Sequence, residues 1–276
     1  SRGELVDWAE ANREKWVARK DLSEGEHRHL SAFRATAAAE LFHLTGEARY
    51  DELFRKINPL AQPDGNVDGS DAQDGLFAYA IIPKGKGDDE LKARIVEAFR
   101  KQADIALAFG GNNAFGLTTN IPGLPEMGPV GYFSVPHMIT QTLPRAHYLT
   151  GEEKYREGTL RAANFRSGAN PGNITFTSGL GHNAPKHVLH FDSRMQEQDA
   201  PAGISIYGQS DPAAGFGFNE WVHIWHLQQT VPASRSWPAT EAHVDMFTWP
   251  MMSEFTIKQN IGTVSYIYGY LAGCSR

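Results

Sequence analysis

Residues 29–44, HLSAFRATAAAELFHL, together with the Thr45-Gly46-Glu47 that follows them, decide the fold of this chain. They combine residues of high helix propensity with apolar residues at helical spacing, which predicts a helix. Glycine readily takes the left-handed conformation that ends a helix, so Gly46 predicts a stop. A second apolar pattern in residues 50–57 predicts a helix that begins at Glu47, and the two helices form a hairpin with a tight turn.

The same turn recurs later in the chain. Residues 43–50, HLTGEARY, are echoed by residues 147–155, HYLTGEEKY. Repetition of one supersecondary unit indicates a fold that stacks copies of that unit. We therefore predict an all-α fold in which helical hairpins form a toroid, with marginal strand content and long loops gathered on one side.

Composition sets loose limits on function. The 276 residues are 41% hydrophobic and carry a net charge of -6, so the chain can bury a large core and has no broad basic face for nucleic acid. No apolar run has the length of a membrane span, so we expect no membrane partner. The single Cys274 excludes an internal disulfide.

The first residues resemble the interior of a longer protein. The chain begins Ser-Arg-Gly without an initiator Met and enters a helical apolar pattern that includes Trp8 and Trp16. We expect a piece of a larger protein, with such apolar faces either exposed or covered by another segment. A secretory signal could have preceded this piece.

A carboxylate among apolar side chains is the most visible chemistry of the sequence. Residues 245–260 read DMFTWPMMSEFTIKQN, with Glu254 among Phe247, Trp249 and Phe255. Partial desolvation raises the pKa of a carboxyl group and keeps its proton near neutral pH, which would let Glu254 act as a general acid. The spacing alone also fits a carboxylate in the first turn of a helix, where the dipole favours it. Both interpretations stay open at this point.

A second polar stretch is rich in hydrogen-bond donors. Residues 168–194 read GANPGNITFTSGLGHNAPKHVLHFDSR, and their glycines, asparagines and prolines rule out a long helix. Sugar hydroxyls are held by histidine and arginine donors of the kind this loop presents. Tyr207 and Trp249 are the aromatic residues that we expect to offer stacking faces for sugar rings.

Two metal patterns are incomplete. Residues 64–69, DGNVDG, match the first half of a calcium loop, but the twelfth position holds Gly75 in place of the closing Glu, and a solvated loop explains the same pattern. His223 and His226 stand one helical turn apart and could bind Zn²⁺ with His243, or pack beside neighbouring tryptophans. We expect no cofactor, with a structural calcium ion as the open alternative.

Several of these residues together resemble glycoside hydrolase family 9, the inverting cellulases. The matching positions are Gly168, Asn170, Pro171, Gly179, Gly181, Pro185, His190, Arg194, Asp245, Glu254, Thr256 and Asn260. The resemblance runs from about Arg28 to Ala272 and implies an (α/α)6 barrel acting on β-1,4-glucan, in the manner of an endo-β-1,4-glucanase.

The resemblance also implies roles for individual residues. The glutamate of the family signature is the proton donor, which corresponds to Glu254, and the histidine and arginine beside the scissile bond correspond to His190 and Arg194. The commoner form of that motif is Pro-His-His-Arg, whereas this chain reads LHFDSR at residues 189–194, so His190 is favoured over other loop histidines. The Pro/Gly loop that runs from Ala200 through Tyr207 and Gly208 is expected to shape the substrate groove.

One catalytic group of the family is missing from the sequence. An inverting glycosidase needs an acid and a base carboxylate about 6.5–9.5 Å apart, and the Asp-Ala-Gly-Asp-like motif that supplies the base is absent. The patterns also predict fewer helices than six hairpins require. We therefore interpret residues 1–276 as the C-terminal part of one catalytic domain that needs its N-terminal segment as a partner, and we expect the enzyme to be secreted.

Two other functions remain compatible with the sequence. The chain could be a non-catalytic carbohydrate-binding helical scaffold that keeps His190 and Arg194 but lacks the base. It could also belong to a different (α/α) toroid enzyme. An aspartate pair encoded upstream would favour the hydrolase.

Overall fold

The computed structural model of the chain describes residues 2–12, 15, 23–61, 65, 67, 70–112, 114–116, 141–209, 229–233, 237, 241–257 and 260–275. Its helices are α1 (Arg2–Ala11), α2 (Glu24–Thr45), α3 (Ala48–Ile57), α4 (Ser70–Ala80), α5 (Asp89–Gly111), α6 (Thr142–Thr150), α7 (Glu153–Arg166), α8 (Phe191–Met195), α9 (Pro250–Ser253) and α10 (Tyr266–Cys274). A 3-10 turn covers Pro59–Ala61, and a π-helix covers Asn260–Ser265.

The chain divides into two compact units. The first contains Ser1–Gln102 with Tyr148–Gly151, and the second contains Ala103–His147 with Glu152–Arg276. The described residues form helices and only two isolated β-bridges, so strand content is marginal among them. The predicted all-α class is confirmed.

The α2–α3 hairpin has the predicted turn. The Ser23 side chain accepts a hydrogen bond from the N–H of Glu26, whose carboxylate bonds back, so a capping box starts α2. At its other end Gly46 has φ 71° and donates its N–H to the Phe42 carbonyl at 2.8 Å. Glu47 has extended backbone angles and precedes α3, which therefore begins one residue later than predicted.

Apolar packing holds the first unit together. The ring of Phe54 stacks on that of Tyr79 with centroids 4.3 Å apart, and both residues are fully buried. A Cβ on Gly75 would come within 2.9 Å of the Thr36 backbone, so glycine lets α4 approach α2 closely. The core of this unit includes Ala38, Ala39, Tyr50, Phe54, Leu76, Tyr79, Ile95 and Phe99.

The second hairpin repeats the first. Helix α6 ends before Gly151, which has the same φ of 71° as Gly46, and Glu152 precedes α7 with extended backbone angles. The predicted recurrence of the turn is thus confirmed. In α7, Tyr155 is buried against Leu143 and Ala146 of α6 and against Ala103 and Ala106 of α5.

Irregular backbone fills much of the second unit. Residues 167–190 and 196–209 contain no helix, and isolated antiparallel bridges join Ser167 to Thr175 and Thr177 to Ser205. Phe165, Phe176, Val188 and Ile206 form the small core beneath these loops.

Several predictions fall outside the described residues or have partial outcomes. Trp8 is exposed, as expected for an uncovered apolar face, whereas Trp16, most of the calcium candidate 64–69, and both His223 and His226 lie outside the described residues. Among the described residues, no cluster of three or more His, Cys, Asp or Glu could hold a metal ion. No described helix is long and apolar enough to cross a membrane.

Candidate active site around Glu254

Glu254 follows a helix instead of starting one. Helix α9 begins with Pro250 at its first position and ends after one turn, where the Glu254 N–H donates to the Pro250 carbonyl at 2.9 Å. Glu254 itself is extended, with φ −76° and ψ 158°. The alternative that places this carboxylate in the first turn of a helix is therefore wrong. The extended backbone instead lets its carbonyl accept the Tyr207 N–H at 2.8 Å.

Two backbone hydrogen bonds fix the main chain at Glu254 from two directions. The Leu189 N–H donates to the Ser253 carbonyl at 2.9 Å, just before Glu254. The Tyr207 N–H bonds to Glu254 itself. The chain at Glu254 is thus held between two segments: the His190 loop, defined as residues 186–195, and the 205–207 segment.

The two polar residues that flank Glu254 in the family signature fasten these same segments. The Asp245 carboxylate accepts the N–H of Lys186 at 2.8 Å and that of His187 at 3.0 Å. The Asn260 amide accepts the Ser205 N–H at 2.7 Å and donates to the Ser205 carbonyl at 3.0 Å. Asp245 and Asn260 are therefore positioning residues, a role that the sequence analysis did not assign to them.

His190 contacts Phe255, the residue that follows Glu254. Its ring stacks on that of Phe255 with centroids 6.2 Å apart and an interplanar angle of 25°. Its Nδ1 accepts the Ser193 N–H at 3.3 Å, so the His190 side chain caps the N-terminus of α8. The same Nδ1 lies 2.7 Å from the Ser193 hydroxyl oxygen. In a neutral imidazole whose Nδ1 accepts a hydrogen bond, the single proton is on Nε2, so this contact leaves Nε2 as the N–H donor of the ring.

Arg194 contacts the same stretch of chain from the other end of the loop. It is exposed, and its guanidinium lies over the Phe247 ring at 5.2 Å from the centroid. Phe247 belongs to the turn that precedes α9, and it also makes an edge-to-face contact with Phe191 at 5.3 Å. The structure therefore brings His190 and Arg194 to the segment that carries Glu254.

The two predicted stacking residues are core residues instead. Trp249 has no exposed surface and packs with Ala242 and Met252, while Tyr207 is 5% exposed and packs with Val264. A ring without an exposed face cannot stack on a sugar, so the platform role of Trp249 and Tyr207 is corrected to a packing role. The sequence could not reveal the burial of these two rings, because an aromatic residue in a loop has the same sequence pattern whether it is exposed or buried.

A buried arginine supports the 205–207 segment. Arg166, at the end of α7, is almost fully buried and donates to the Ile206 carbonyl at 2.7 Å, with its guanidinium 5.4 Å from the Phe176 ring centroid. Burial lowers the pKa of Arg166 to about 10, so it remains a cation at neutral pH. It thereby anchors the backbone next to the hydrogen bond from Tyr207 to Glu254.

His243 is a half-buried residue that lies two positions before Asp245 in the sequence. Both ring nitrogens are buried, and the ring packs edge to face on Phe176 at 5.3 Å. Burial lowers the pKa of His243, the backbone of Gly208 and the charge of Asp245 oppose this shift, and the charge of Arg166 adds to it. His243 is therefore a neutral packing residue near pH 7.

Comparison with known proteins agrees with this architecture. The family profile described as glycosyl hydrolase family 9 matches residues 4–267. A comparison with curated proteins gives no match. Among solved structures, the chain is similar to the family 9 endoglucanase J30, with 21% identity and a TM-score of 0.68 over 87% of this chain and 41% of that one.

Two further structures share the fold. A thermostable endoglucanase from Alicyclobacillus acidocaldarius is 18% identical with a TM-score of 0.68, over 88% of this chain and 43% of that one. A family 9 protein of Bacteroides ovatus is 19% identical with a TM-score of 0.62, over 88% and 40%. The chain thus spans less than half of the length of each of these structures. The profile match covers nearly the whole sequence, and the chain belongs to glycosyl hydrolase family 9.

Proposed function

We propose that this chain supplies the general acid of an inverting glycoside hydrolase that cleaves β-1,4-glucan. Family membership supports a glycoside hydrolase, and the solved structures named above include endoglucanases. A further similar structure is a complex with cellobiose-like isofagomine, which supports a cellulose-type substrate. We also propose that residues of this chain bind the glucan.

The observation that carries the proposal is the way Glu254 is held. Its backbone is fixed by hydrogen bonds to the His190 loop and to the 205–207 segment, and Asp245 and Asn260 fasten both segments. A general acid must be fixed within hydrogen-bond reach of the atom that it protonates. The backbone hydrogen bonds at Glu254 support such fixation of the residue that carries the carboxyl group.

The reaction then follows from the roles of three side chains. Glu254 transfers its proton to the glycosidic oxygen as the bond to the anomeric carbon breaks, and a water molecule attacks that carbon from the opposite face. The Nε2–H of His190 and the guanidinium of Arg194 donate hydrogen bonds to hydroxyls of the sugar. The product sugar has the inverted anomeric configuration.

The base that activates the water is proposed to lie outside these 276 residues. The family motif for that base is absent from the sequence, and the chain spans 41% of endoglucanase J30. We propose that residues 1–276 are the C-terminal part of one catalytic domain, completed by an N-terminal segment. Because cellulose is an extracellular polymer, we also propose that the enzyme is secreted.

Product stereochemistry tests this function directly. The full-length protein that contains this chain is mixed with cellohexaose, and the anomers formed first are followed by proton NMR. The proposal predicts that the α-anomer appears first and then mutarotates. An initial β-anomer would contradict single displacement, and a complete lack of hydrolysis would favour the carbohydrate-binding scaffold.

A further inference from the structure

Helix α8 exposes two large apolar side chains next to the candidate site. Phe191 is 66% exposed and Met195 is 80% exposed. They stand four residues apart on one helix, which places them on the same face. We call Phe191 and Met195 the α8 patch.

The α8 patch is adjacent in sequence to the residues that bind sugar in the proposed function. Phe191 directly follows His190, and Met195 directly follows Arg194. The Phe191 ring and the Arg194 guanidinium both contact the ring of Phe247, at 5.3 Å and 5.2 Å between the respective centres. Phe247 therefore contacts both an exposed aromatic ring and an exposed cation.

An exposed ring beside a guanidinium fits the chemistry of a sugar. The axial C–H bonds of a β-glucosyl unit give its ring an apolar face that packs on an aromatic side chain, while the equatorial hydroxyls at its rim accept hydrogen bonds from arginine. The buried rings of Trp249 and Tyr207 cannot offer such a face. Phe191 combines exposure with a fixed orientation.

We propose that Phe191 is the stacking platform of a glucosyl subsite, flanked by Arg194 and extended by Met195. This proposal rests on the proposed function, since its occupant is one glucose residue of the β-1,4-glucan. Phe191 lies where the chain departs from the common Pro-His-His-Arg motif, so the platform is a feature of this chain and a determinant of how tightly it holds the substrate.

Steady-state kinetics of the full-length protein on cellohexaose test the platform. Phe191→Ala should raise KM by about two- to twelvefold with kcat nearly unchanged, which is the range expected for one aromatic stacking contact. Phe191→Tyr, which keeps the ring, should restore KM. Met195→Ala should raise KM by a smaller factor, and it serves as the second variant if Phe191→Ala does not fold.

The matched control is Phe33→Ala. Phe33 is 56% exposed on α2 and belongs to none of the segments that are proposed to bind the glucan, so its loss removes a similar exposed ring and should leave KM unchanged. An unchanged KM in both Phe191→Ala and Met195→Ala would overturn the platform while leaving the hydrolase intact. A lowered unfolding temperature with unchanged KM would overturn it too, because it would show that protein covers the patch. A wild-type enzyme that neither binds nor cleaves cellohexaose would overturn the proposed function itself.

Discussion

The α2–α4 region and the loops around Glu254 are held together by different forces. In the first, apolar side chains such as Phe54 and Tyr79 pack in a core, and the backbone bonds to itself within helices. In the second, polar side chains bond to the backbone of distant segments, as Asp245 does with Lys186 and His187. The helical region therefore relies mainly on its apolar core, whereas the loops owe their shape to a few individual polar residues.

Asn170 shows how a single amide substitutes for regular structure. Its Nδ2 donates to the carbonyls of Phe165 and Ile174, both at 2.7 Å, and its Oδ1 accepts the Ile174 N–H at 3.1 Å. Buried backbone groups that lack a strand or helix partner need such replacements. Asn260 does the same for Ser205. Truncation of an apolar residue should thus damage the first region, and truncation of an amide the second.

The largest effect on stability is expected in the helical region. Phe54→Ala should lower the free energy of unfolding by about 3–5 kcal/mol, because it removes a fully buried ring and leaves a cavity beside Tyr79. Urea unfolding followed by circular dichroism measures it. Phe33→Ala, at an exposed position of α2, is the control, and equal losses in the two variants would contradict an apolar origin of stability here.

An intermediate effect is expected for the amide that fastens the 205–207 segment. Asn260→Ala should destabilise the chain by about 1–3 kcal/mol, because it leaves the N–H and carbonyl of Ser205 without their partner. It should also lower kcat of the full-length enzyme, since the segment that holds Glu254 loosens. The control is Asn112→Ala, which removes an exposed amide that donates to the Ala108 carbonyl. It should change neither the free energy of unfolding nor kcat appreciably. Unchanged kcat in Asn260→Ala would contradict the positioning role.

The smallest effect concerns pH. Burial lowers the pKa of His243, so the unfolded chain binds a proton at about pH 6.5 while the folded chain does not until lower pH. The contribution of neutral His243 to the free energy of unfolding is therefore fully present above pH 6.5. It decreases as the pH falls toward the lowered pKa, by at most about 1.4 kcal/mol per pH unit. His243→Gln should lose less stability than the wild type between pH 7 and pH 5, as measured by urea unfolding. His182→Gln, at an exposed histidine, is the control, and equal losses in wild type and His243→Gln would contradict the burial argument.

The contrast between the two regions also explains what could be predicted from the sequence. The α2–α3 hairpin and its repeat at Gly151 follow from local signals, namely helical periodicity and a glycine stop, and both were confirmed. The all-α class followed from the same signals. Local patterns suffice there because each helix bonds to itself.

The structure of the candidate site was harder to predict from the sequence, because its contacts join residues that are distant in sequence. The extended backbone of Glu254 depends on Tyr207, and the loop ties depend on Asp245 and Asn260, none of which periodicity can reveal. Burial of Trp249 and exposure of Phe191 are likewise set by tertiary packing. The family resemblance named Glu254, His190 and Arg194, and the structure places these three in neighbouring segments.

The most direct test of the central claim is the turnover of Glu254→Gln in the full-length enzyme. Glutamine keeps the shape and hydrogen-bonding reach of glutamate but has no proton to transfer. On an unactivated glucan, kcat should fall by a factor on the order of 10²–10⁴ with substrate binding nearly intact, while aryl glycosides with good leaving groups lose much less. Near-normal turnover of Glu254→Gln on the unactivated glucan, or a loss of stability alone, would contradict the assignment of Glu254 as the general acid.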